Sequence, residues 1–570
     1  MMCLLLYLDG AEGQNRAEKT FIRHLAILRL RDGMQLNETV GQAYPSSQGV
    51  PAENTQGTPP PASPQAQAHK PAHASGHKKK VIIDGLEAVG MVFGNVGTLS
   101  FNCGVTAPLE KMEYIQVNHE VNGWVLGQVS EIVRKTNLTV DGVEEMAHGT
   151  PVPIDEKEIA VISVIGYRDD RNLLQVPRTP LKAGEQVFIA NEDLIMKIVG
   201  LHENHDTGAY IGLLSGHDIK VELDINTMVQ KHVSILSKTG GGKSYCSGAI
   251  VEELMKHGVT VCIIDPHGEY ASMKHKGVVK KTTRDFGVSP HGYEDKIVEF
   301  ATDTNINKGA KPLKFTLHNL DARELLSLTN IKNVRSFLTM LRKAVDTLKD
   351  TKGSYSLSDI IAVIENGGEA SSGTLITELE YLNEIDVFAD QGTKIDELIQ
   401  KGRCTIINLR GTPPDIQELI VNRVGNTLFE LRKVGKIPPM MLVVEEAHNF
   451  CPQQGQVACS KIFRTIASEG RKFGLGLTII TQRAAKVDKN VLSQCNTQII
   501  LKVTNPNDLK AIASSIEGLT EGMEEEIQRL PIGSAIITGG GVSMPLLVEI
   551  RPRESKHGGE SVEVIPPRRM

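Results

Sequence analysis

The chain has 570 residues, a length that predicts about three or four domains. Its 40% hydrophobic and 23% charged residues, with a formal net charge of -6, are values of globular proteins and exclude a fibrous or fully disordered chain. The sequence has no apolar run of about 18 residues, which excludes the membrane-embedded classes and predicts no membrane partner. The 8 cysteines include no CxxC pair, which predicts reduced thiols and a cytoplasmic location.

Residues 1–80 are predicted to be a disordered or unassigned extension and linker. Between Gln42 and His77 the chain is rich in Pro, Ala, Gln, Ser and His and has almost no bulky apolar side chains, a composition typical of a flexible tether. The tether ends in Lys78–Lys80, which either contacts DNA or is a solvated domain edge.

Residues 81–224 are predicted to be rich in β-structure. Valine- and isoleucine-rich runs alternate with glycines at 89–94 and 123–129, a pattern that predicts a small β-barrel. The segment from Ala160 to Asp224 continues in the same style. We expect it to complete the barrel or to connect the barrel to the next domain.

A glycine-rich turn between a predicted strand, 232–236, and a predicted helix, 245–256, has the spacing of a phosphate-binding P-loop. Its backbone N–H groups would surround the phosphates of ATP, Lys243 would reach the β- and γ-phosphates, and the Ser244 hydroxyl would bind Mg²⁺. Ser237 stands where the pattern has its first glycine. The predicted ATP-binding residues here are Lys238, Thr239, Gly240, Gly241, Gly242, Lys243, Ser244 and Tyr245.

Residues 225–548 alternate predicted strands and helices, which indicates a mostly parallel, doubly wound α/β sheet. Apolar residues at three- and four-residue spacing predict a helical insertion at about 320–400. Further strands are predicted at 259–265, 404–409, 440–444, 475–481 and 497–503. The charged, proline-containing segment 549–570 is predicted to be an extended arm.

Two acids follow the apolar strand that ends at Val444, as in a Walker B element. Glu445 is predicted to bind Mg²⁺, and Glu446 to be the base that polarises the attacking water. Asp265 ends another apolar strand, which we expect beside the P-loop strand. Its carboxylate would then hold the Mg²⁺ water shell or the attacking water, or it would cap the turn at Pro266.

Two further residues flank the strand predicted at 475–481. Arg471, before this strand, can point across a subunit boundary to the γ-phosphate of a neighbour and stabilise transition-state charge. Gln482, after the strand, is placed to sense that phosphate. Taken singly, each would be a surface ion pair or a strand-end hydrogen bond. Their combination with both Walker elements favours the functional interpretation.

These elements together resemble the HerA family of archaeal DNA helicase-translocases, within the wider HerA/FtsK group of ring-forming ATPases. The resemblance implies a RecA-like P-loop ATPase domain behind a HAS-barrel-like domain. It implies a homo-hexamer that hydrolyses ATP, moves double-stranded DNA through its pore, and works with a NurA-type nuclease in DNA end processing and recombinational repair. The motifs concerned are Lys238–Ser244, Ile263–Tyr270, Val443–His448, Ser468–Gly474, Thr481–Arg483 and Ile165–Asp170.

By the same resemblance, Arg471 is an arginine finger acting in trans, and Lys231 is a basic residue near the active site. The sequence departs from the family pattern at Ser237, at Glu445, where aspartate is more usual, and in residues 1–80.

Two other functions stay open at the level of sequence. A ring ATPase acting on protein would have aromatic pore loops, and a non-hydrolysing nucleotide-gated scaffold would not need Glu446. The residues alone do not establish DNA as the substrate, because basic loops either face phosphates in a pore or are simply solvated. The basic loop residues are Lys274, Lys276, Lys280, Lys281, Arg284, Lys486 and Lys489.

Overall fold

The computed structural model describes residues 82–83, 86–201, 206–515 and 523–559, with short gaps at 327–328, 330, 332–333, 353, 369–371, 386, 390 and 456. The predicted extension 1–80 and the last part of the predicted arm, 560–570, lie outside the described residues. Among the described helices, none is long and apolar enough to cross a membrane.

The amino-terminal part of the described chain is a closed β-barrel, as predicted. Its strands are β1 Ile82–Ile83, β2 Leu86–Val96, β3 Ser100–Val105, β4 Tyr114–His119, β5 Gly123–Thr136, β6 Glu156–Arg168, β7 Leu174–Gln175 and β8 Gln186–Ile189. Because β2 pairs with both β3 and β8, six strands close in the order β2-β3-β6-β5-β4-β8. Alternate residues point inward, such as Phe101 with Cys103 and Ile115 with Val117, and they form the barrel core.

The second part is an α/β domain built on one sheet of 12 strands. Its strands are β9 Gly208–Leu214, β10 Lys220–Asp224, β11 Val233–Leu236, β12 Thr260–Asp265, β13 Ile297–Ala301, β14 Lys311–Pro312, β17 Cys404–Asn408, β18 Met440–Val444, β19 Leu475–Thr481, β20 Thr497–Ile500, β21 Ser534–Thr538 and β22 Leu546–Ile550. The order is β10-β9-β22-β21-β20-β11-β19-β18-β12-β17-β13-β14. The pairings from β20 through β14 are parallel, as the continuous apolar strands predict, and those from β10 through β20 are antiparallel.

Helices cover both faces of this sheet. In chain order the described helices are α1 Val140–Ala147, α2 Glu192–Val199, α3 Ile225–Lys231, α4 Lys243–Lys256, α5 Lys281–Asp285, α6 Ala322–Leu326, α7 Val334–Thr351, α8 Leu357–Asn366, α9 Gly373–Glu384, α10 Ile395–Leu398, α11 Pro414–Lys433, α12 Ser460–Phe473, α13 Lys489–Leu492, α14 Pro506–Ala513 and α15 Met523–Arg529. The predicted helical insertion corresponds to α6–α10, with the short strands β15 Phe315–Thr316 and β16 Phe388–Ala389 paired beside it. It packs in one hydrophobic core with α11 and α12.

Two predictions about the strands need correction. Strands β9 and β10, predicted with the barrel or its connection, pair with each other and join the edge of the large sheet through β22. Strand β12, expected beside the P-loop strand β11, is separated from it by β19 and β18. Asp265 therefore ends a strand three positions away from β11 and does not flank the P-loop.

Residues 551–555, directly after β22, are buried, although the charge of the segment 549–570 predicts an extended arm. Arg551, with 0% exposure, donates to the carboxylates of Glu252 and Glu253 on α4 at 3.0 and 2.8 Å. The same guanidinium donates to the backbone oxygens of Ala249 and Tyr210. This segment therefore compensates two buried acids on the helix that follows the P-loop.

Replacing Arg551 by methionine is expected to destabilise the protein by about 3–5 kcal/mol, because the buried carboxylates of Glu252 and Glu253 lose the cation that they share and keep only Arg553 and Lys256 as ion-pair partners. The measurement is denaturant unfolding followed by circular dichroism. The matched control is Arg134→Met, whose exposed ion pair with Glu158 is at the barrel surface, and it should unfold like the wild type. Equal midpoints for the two variants would contradict the assigned role of Arg551.

Candidate active site

The P-loop connects β11 to α4 and has the conformation that its glycines permit. Gly240 and Gly242 have φ of 70° and 97°, in the left-handed region that favours glycine, and Gly242 is the N-cap of α4. Ser237 is buried, its φ is not positive, and its hydroxyl donates to the backbone oxygen of Lys238 at 2.9 Å. The first glycine of the common pattern is therefore not needed for the backbone conformation here.

Lys243 lies against both acids of the Walker B element. Its Nζ forms an ion pair with Glu445 Oε1 and a second one, at 3.0 Å, with Glu446 Oε1. Burial opposes the charge of this ammonium, but the two carboxylates outweigh burial and raise the pKa of Lys243. Burial raises the pKa of Glu445, and the charge of Lys243 opposes that shift. The predicted phosphate-binding lysine, metal ligand and base thus form one cluster.

Tyr270, for which the sequence predicts no role, links the turn after Asp265 to this cluster. Its hydroxyl donates to Glu445 Oε2 at 2.7 Å, and Ser247 Oγ lies 2.6 Å from the same hydroxyl. The Asp265 carboxylate accepts from the backbone N–H groups of Gly268 and Tyr270 at 2.9 and 3.0 Å. Asp265 therefore fixes the turn that places Tyr270, as in the capping alternative, and its own oxygens point into that turn.

Gln482 reaches the P-loop of its own chain, because β19 lies beside β11. Thr239 Oγ1 donates to Gln482 Oε1, and the backbone N–H of Ser237 donates to the backbone oxygen of Thr481. Thr481 Oγ1 lies 3.1 Å from Nδ1 of His448, which follows the Walker B acids. Gln482 is therefore placed at the nucleotide site by the register of β11 and β19.

Arg471 and Lys231 lie at the amino-terminal ends of the parallel strands, whereas their own P-loop lies at the carboxy-terminal ends. Lys231 precedes β11 and Arg471 precedes β19, whereas the P-loop and Gln482 follow these strands. The 7 residues of β19 span roughly 20 Å at about 3.3 Å per residue, farther than an arginine side chain reaches. Both residues line one cavity of about 920 Å³. The structure thus brings Arg471 and Lys231 together and keeps them away from Lys243.

His232 ties α12, which bears Arg471, to β11. Its Nδ1 accepts from the backbone N–H of Leu477, so its Nε2 donates to the backbone oxygen of Ala467 at 3.0 Å. Gly470 lets the helix approach β19 closely, since a Cβ there would lie 2.5 Å from the backbone oxygen of Leu475. The position of Arg471 at the amino-terminal end of β19 is therefore fixed by the buried contacts of Ala467 and Gly470.

The predicted basic loop residues differ in their exposure to solvent. Lys274 forms an ion pair with Glu299 at 2.6 Å. The remaining basic loop residues are exposed: Lys276, Lys280, Lys281, Arg284, Lys486 and Lys489. These six, not Lys274, are therefore the candidates for contact with a polyanion.

The side chains at the P-loop and the Walker B element fit the Mg²⁺ ion that accompanies a nucleotide in P-loop ATPases. Among the described residues there is no group of three or more His, Cys, Asp or Glu side chains that could hold a metal. Mg²⁺ beside a nucleotide needs fewer protein ligands, since phosphates and waters complete its shell. Ser244 at the start of α4 and Glu445, whose Oε1 is next to Lys243, supply the hydroxyl and the carboxylate such an ion takes.

The sequence matches known proteins over most of its length. The family model described as "Helicase HerA, central domain" matches residues 209–428. A probable DNA double-strand break repair helicase HerA of Methanocaldococcus jannaschii is 30% identical over 454 residues, which cover 72% of this chain and 88% of that protein. The DNA double-strand break repair helicase HerA of Pyrococcus furiosus is 25% identical over 560 residues, with 84% and 96% covered.

Among solved structures, VirB4 of Thermoanaerobacter pseudethanolicus superposes with a TM-score of 0.45 at 16% identity and covers 61% of this chain and 97% of that one. The identity and coverage of the Methanocaldococcus relative decide the assignment, together with the P-loop, the paired acids and Gln482 around one site. The chain therefore belongs to the HerA helicase family of P-loop ATP hydrolases.

Proposed function

We propose that this chain is an ATP-driven translocase or helicase that encircles double-stranded DNA as a homo-hexameric ring. The observation that supports the ring is the position of Arg471 and Lys231 at the amino-terminal ends of the strands, opposite their own P-loop. An arginine finger at that edge serves only the nucleotide of a neighbouring subunit. The names of the relatives support duplex DNA as the substrate and double-strand break repair as the process.

The site residues have separate tasks in this proposal. Lys243 leaves the Walker B acids and binds the β- and γ-phosphates, which frees Glu446 Oε1 to accept a proton from the attacking water. Ser244 and Glu445 hold Mg²⁺, which neutralises phosphate charge when bound. Gln482 senses the γ-phosphate next to Thr239, and Arg471 of the neighbour stabilises the transition state.

A nuclease of the NurA type would complete the end-processing reaction, as the family resemblance implies. Translocation along the duplex delivers DNA ends to such a partner, so the partner should stimulate ATP turnover only when DNA is present. Co-purification of the two proteins, followed by nuclease and ATPase assays, tests this part of the proposal separately from the motor activity.

Blunt duplex DNA is expected to stimulate ATP turnover, and the stimulation should fall steeply between about 50 and about 200 mM salt, because counterions compete for the phosphates. A charge-reversed variant, Lys280→Glu with Lys281→Glu and Arg284→Glu, tests the exposed basic loop. It should keep the DNA-independent turnover and require more DNA for half-maximal stimulation. The control reverses one exposed charge in α11, with Lys433→Glu.

Other outcomes would favour the alternative functions. Stimulation by an unfolded protein and not by DNA would indicate a motor that acts on protein. Turnover that survives Glu446→Gln and responds to no polymer would indicate a nucleotide-gated scaffold. A DNA-stimulated rate that is independent of salt would contradict contact with the phosphate backbone.

A further inference from the structure

His448 lies between Glu446, the proposed base, and Thr481, the last residue of β19. Its Nδ1 is 3.3 Å from Glu446 Oε2 and 3.1 Å from Thr481 Oγ1. The His448 and Glu446 side chains are largely buried, with 15% and 5% exposure, so water does not compete freely for these contacts. We propose that His448, held by Thr481, is a positioning residue that orients the Glu446 carboxylate for proton abstraction.

The two oxygens of Glu446 are in different situations. Oε1 faces Lys243 at 3.0 Å, whereas Oε2 is buried and has no hydrogen-bond partner among the described residues. A buried carboxylate oxygen without a donor costs free energy. His448 Nδ1, at 3.3 Å, needs only a small adjustment to donate to it, and catalytic hydrogen bonds often tighten only when the substrate is bound.

The backbone conformation at Glu446 sets the direction of the side chain but not the rotation of its carboxylate. Glu446 has φ 50° and ψ 44°, a left-handed conformation that is unfavourable for a residue with a Cβ. This conformation turns the chain directly after β18 and aims the carboxylate back at the P-loop. The turn alone does not fix the rotation of the carboxylate, so the side-chain contact at Oε2 decides where Oε1 points.

The protonation state of His448 suits this role. Burial lowers its pKa, and the nearby charges of Lys486, Arg483 and Lys243 lower it further against the opposing effect of Glu446. A neutral imidazole has one N–H, and the unpartnered Glu446 Oε2 favours the tautomer with the proton on Nδ1. With the proton on Nδ1, this N–H lies between two acceptors, Thr481 Oγ1 at 3.1 Å and Glu446 Oε2 at 3.3 Å, and Thr481 Oγ1, which also accepts from the backbone N–H of Arg483 at 2.9 Å, keeps the ring beside Glu446.

The same contacts connect the base to the nucleotide sensor. Thr481 precedes Gln482, whose side chain contacts Thr239 of the P-loop. The Thr481 backbone oxygen accepts from the N–H of Ser237 at 3.3 Å. Thr481 therefore contacts the P-loop through its backbone and His448 through its side chain.

The inference rests on the proposed role of Glu446, and matched variants separate the two. Asparagine at 448 retains a donor near the place of Nδ1, whereas glutamine places its amide near Nε2 and alanine has no donor. We expect His448→Ala and His448→Gln to lower kcat by about 10- to 100-fold, since small displacements of a catalytic group cost this much. His448→Asn should keep most of the activity. The affinity for a fluorescent ATP analogue, titrated directly, should stay close to that of the wild type in all three.

Thr481 provides a second pair of variants that does not depend on the stability of the His448 variants. Thr481→Val keeps the shape of the buried side chain without its hydroxyl and should lower kcat, and Thr481→Ser should not. A double-mutant cycle completes the test: if His448 acts through Glu446, adding His448→Ala to Glu446→Gln should not lower kcat further.

Each outcome decides one question. Equal losses for His448→Asn, His448→Gln and His448→Ala, or an additive loss in the double variant, would overturn the positioning role. An unchanged kcat for Thr481→Val would overturn the part assigned to Thr481. If Glu446→Gln itself keeps wild-type turnover, the proposed base is wrong, which is a separate failure. If only Glu446→Gln is inactive and the His448 variants are normal, the base stands and this inference falls.

Discussion

Replacing Glu446 by glutamine is expected to lower kcat for ATP by about 10²- to 10⁴-fold, the usual contribution of a general base. Glutamine keeps the size of the side chain and the backbone conformation at φ 50°, but its amide does not accept the proton of the attacking water. The substitution leaves Lys243 and the rest of the P-loop unchanged, so the P-loop should still bind nucleotide. Phosphate release measures turnover, and titration of a fluorescent ATP analogue measures binding.

The control for this experiment is an exposed acid far from the site. Glu430→Gln on α11 removes the same charge at the surface and should leave both kcat and affinity as in the wild type. A variant at Glu446 that binds and hydrolyses ATP normally would show that another group accepts the proton. Loss of binding together with turnover would indicate a structural effect at the strained turn and not the loss of a base.

Replacing Arg471 by alanine is expected to lower kcat by about 10³-fold or more, as for arginine fingers in general, although the residue is remote from its own P-loop. Lys243→Ala should be equally inactive, because the phosphates lose their lysine. Mixing the two inactive variants should restore part of the activity. Some subunit boundaries then combine an intact P-loop from one variant with an intact Arg471 from the other.

The mixing experiment needs proof that mixed rings form, and differently tagged variants that co-purify provide it. Arg471→Lys is the matched control, because it keeps the charge and loses the planar, bidentate donor group, and it should recover only part of the rate. If verified mixed rings regain no activity at any ratio, or if Arg471→Ala is fully active alone, the finger in trans is contradicted.

The P-loop and the Walker B element could be predicted from sequence because each consists of consecutive residues. The P-loop needs glycines at 240 and 242, where φ is positive, and the Walker B acids directly follow the apolar strand β18. Their place at the same ends of the strands as Lys243 follows once β11 and β18 belong to one parallel sheet. Periodicity likewise predicts the barrel strands and the helical insertion.

Contacts across the sheet could not be predicted in this way, since they depend on strand order. Nothing in the sequence indicates that β19 and β18 separate β11 from β12, and the expected place of Asp265 was wrong for that reason. Tyr270 and Thr481 belong to the quoted motifs, but their contacts could not be predicted because their partners, Glu445 and His448, are distant in sequence. A tyrosine five residues after a strand-ending acid, within the same motif as Asp265, was the available signal.

The carboxy-terminal segment has a consequence for the order in which the molecule is completed during synthesis. Arg551 is made 299 residues after Glu252, the buried acid that it compensates on the P-loop helix. At about 5–20 residues per second, the ribosome needs roughly 15–60 s to cover that distance. During this interval Glu252 on the nascent P-loop helix lacks Arg551, and Glu253 has only Lys256 of the same helix as its ion-pair partner. The nucleotide site, although encoded near the middle of the chain, is therefore among the last parts to become native, and a chain that ends before residue 551 leaves it unfinished.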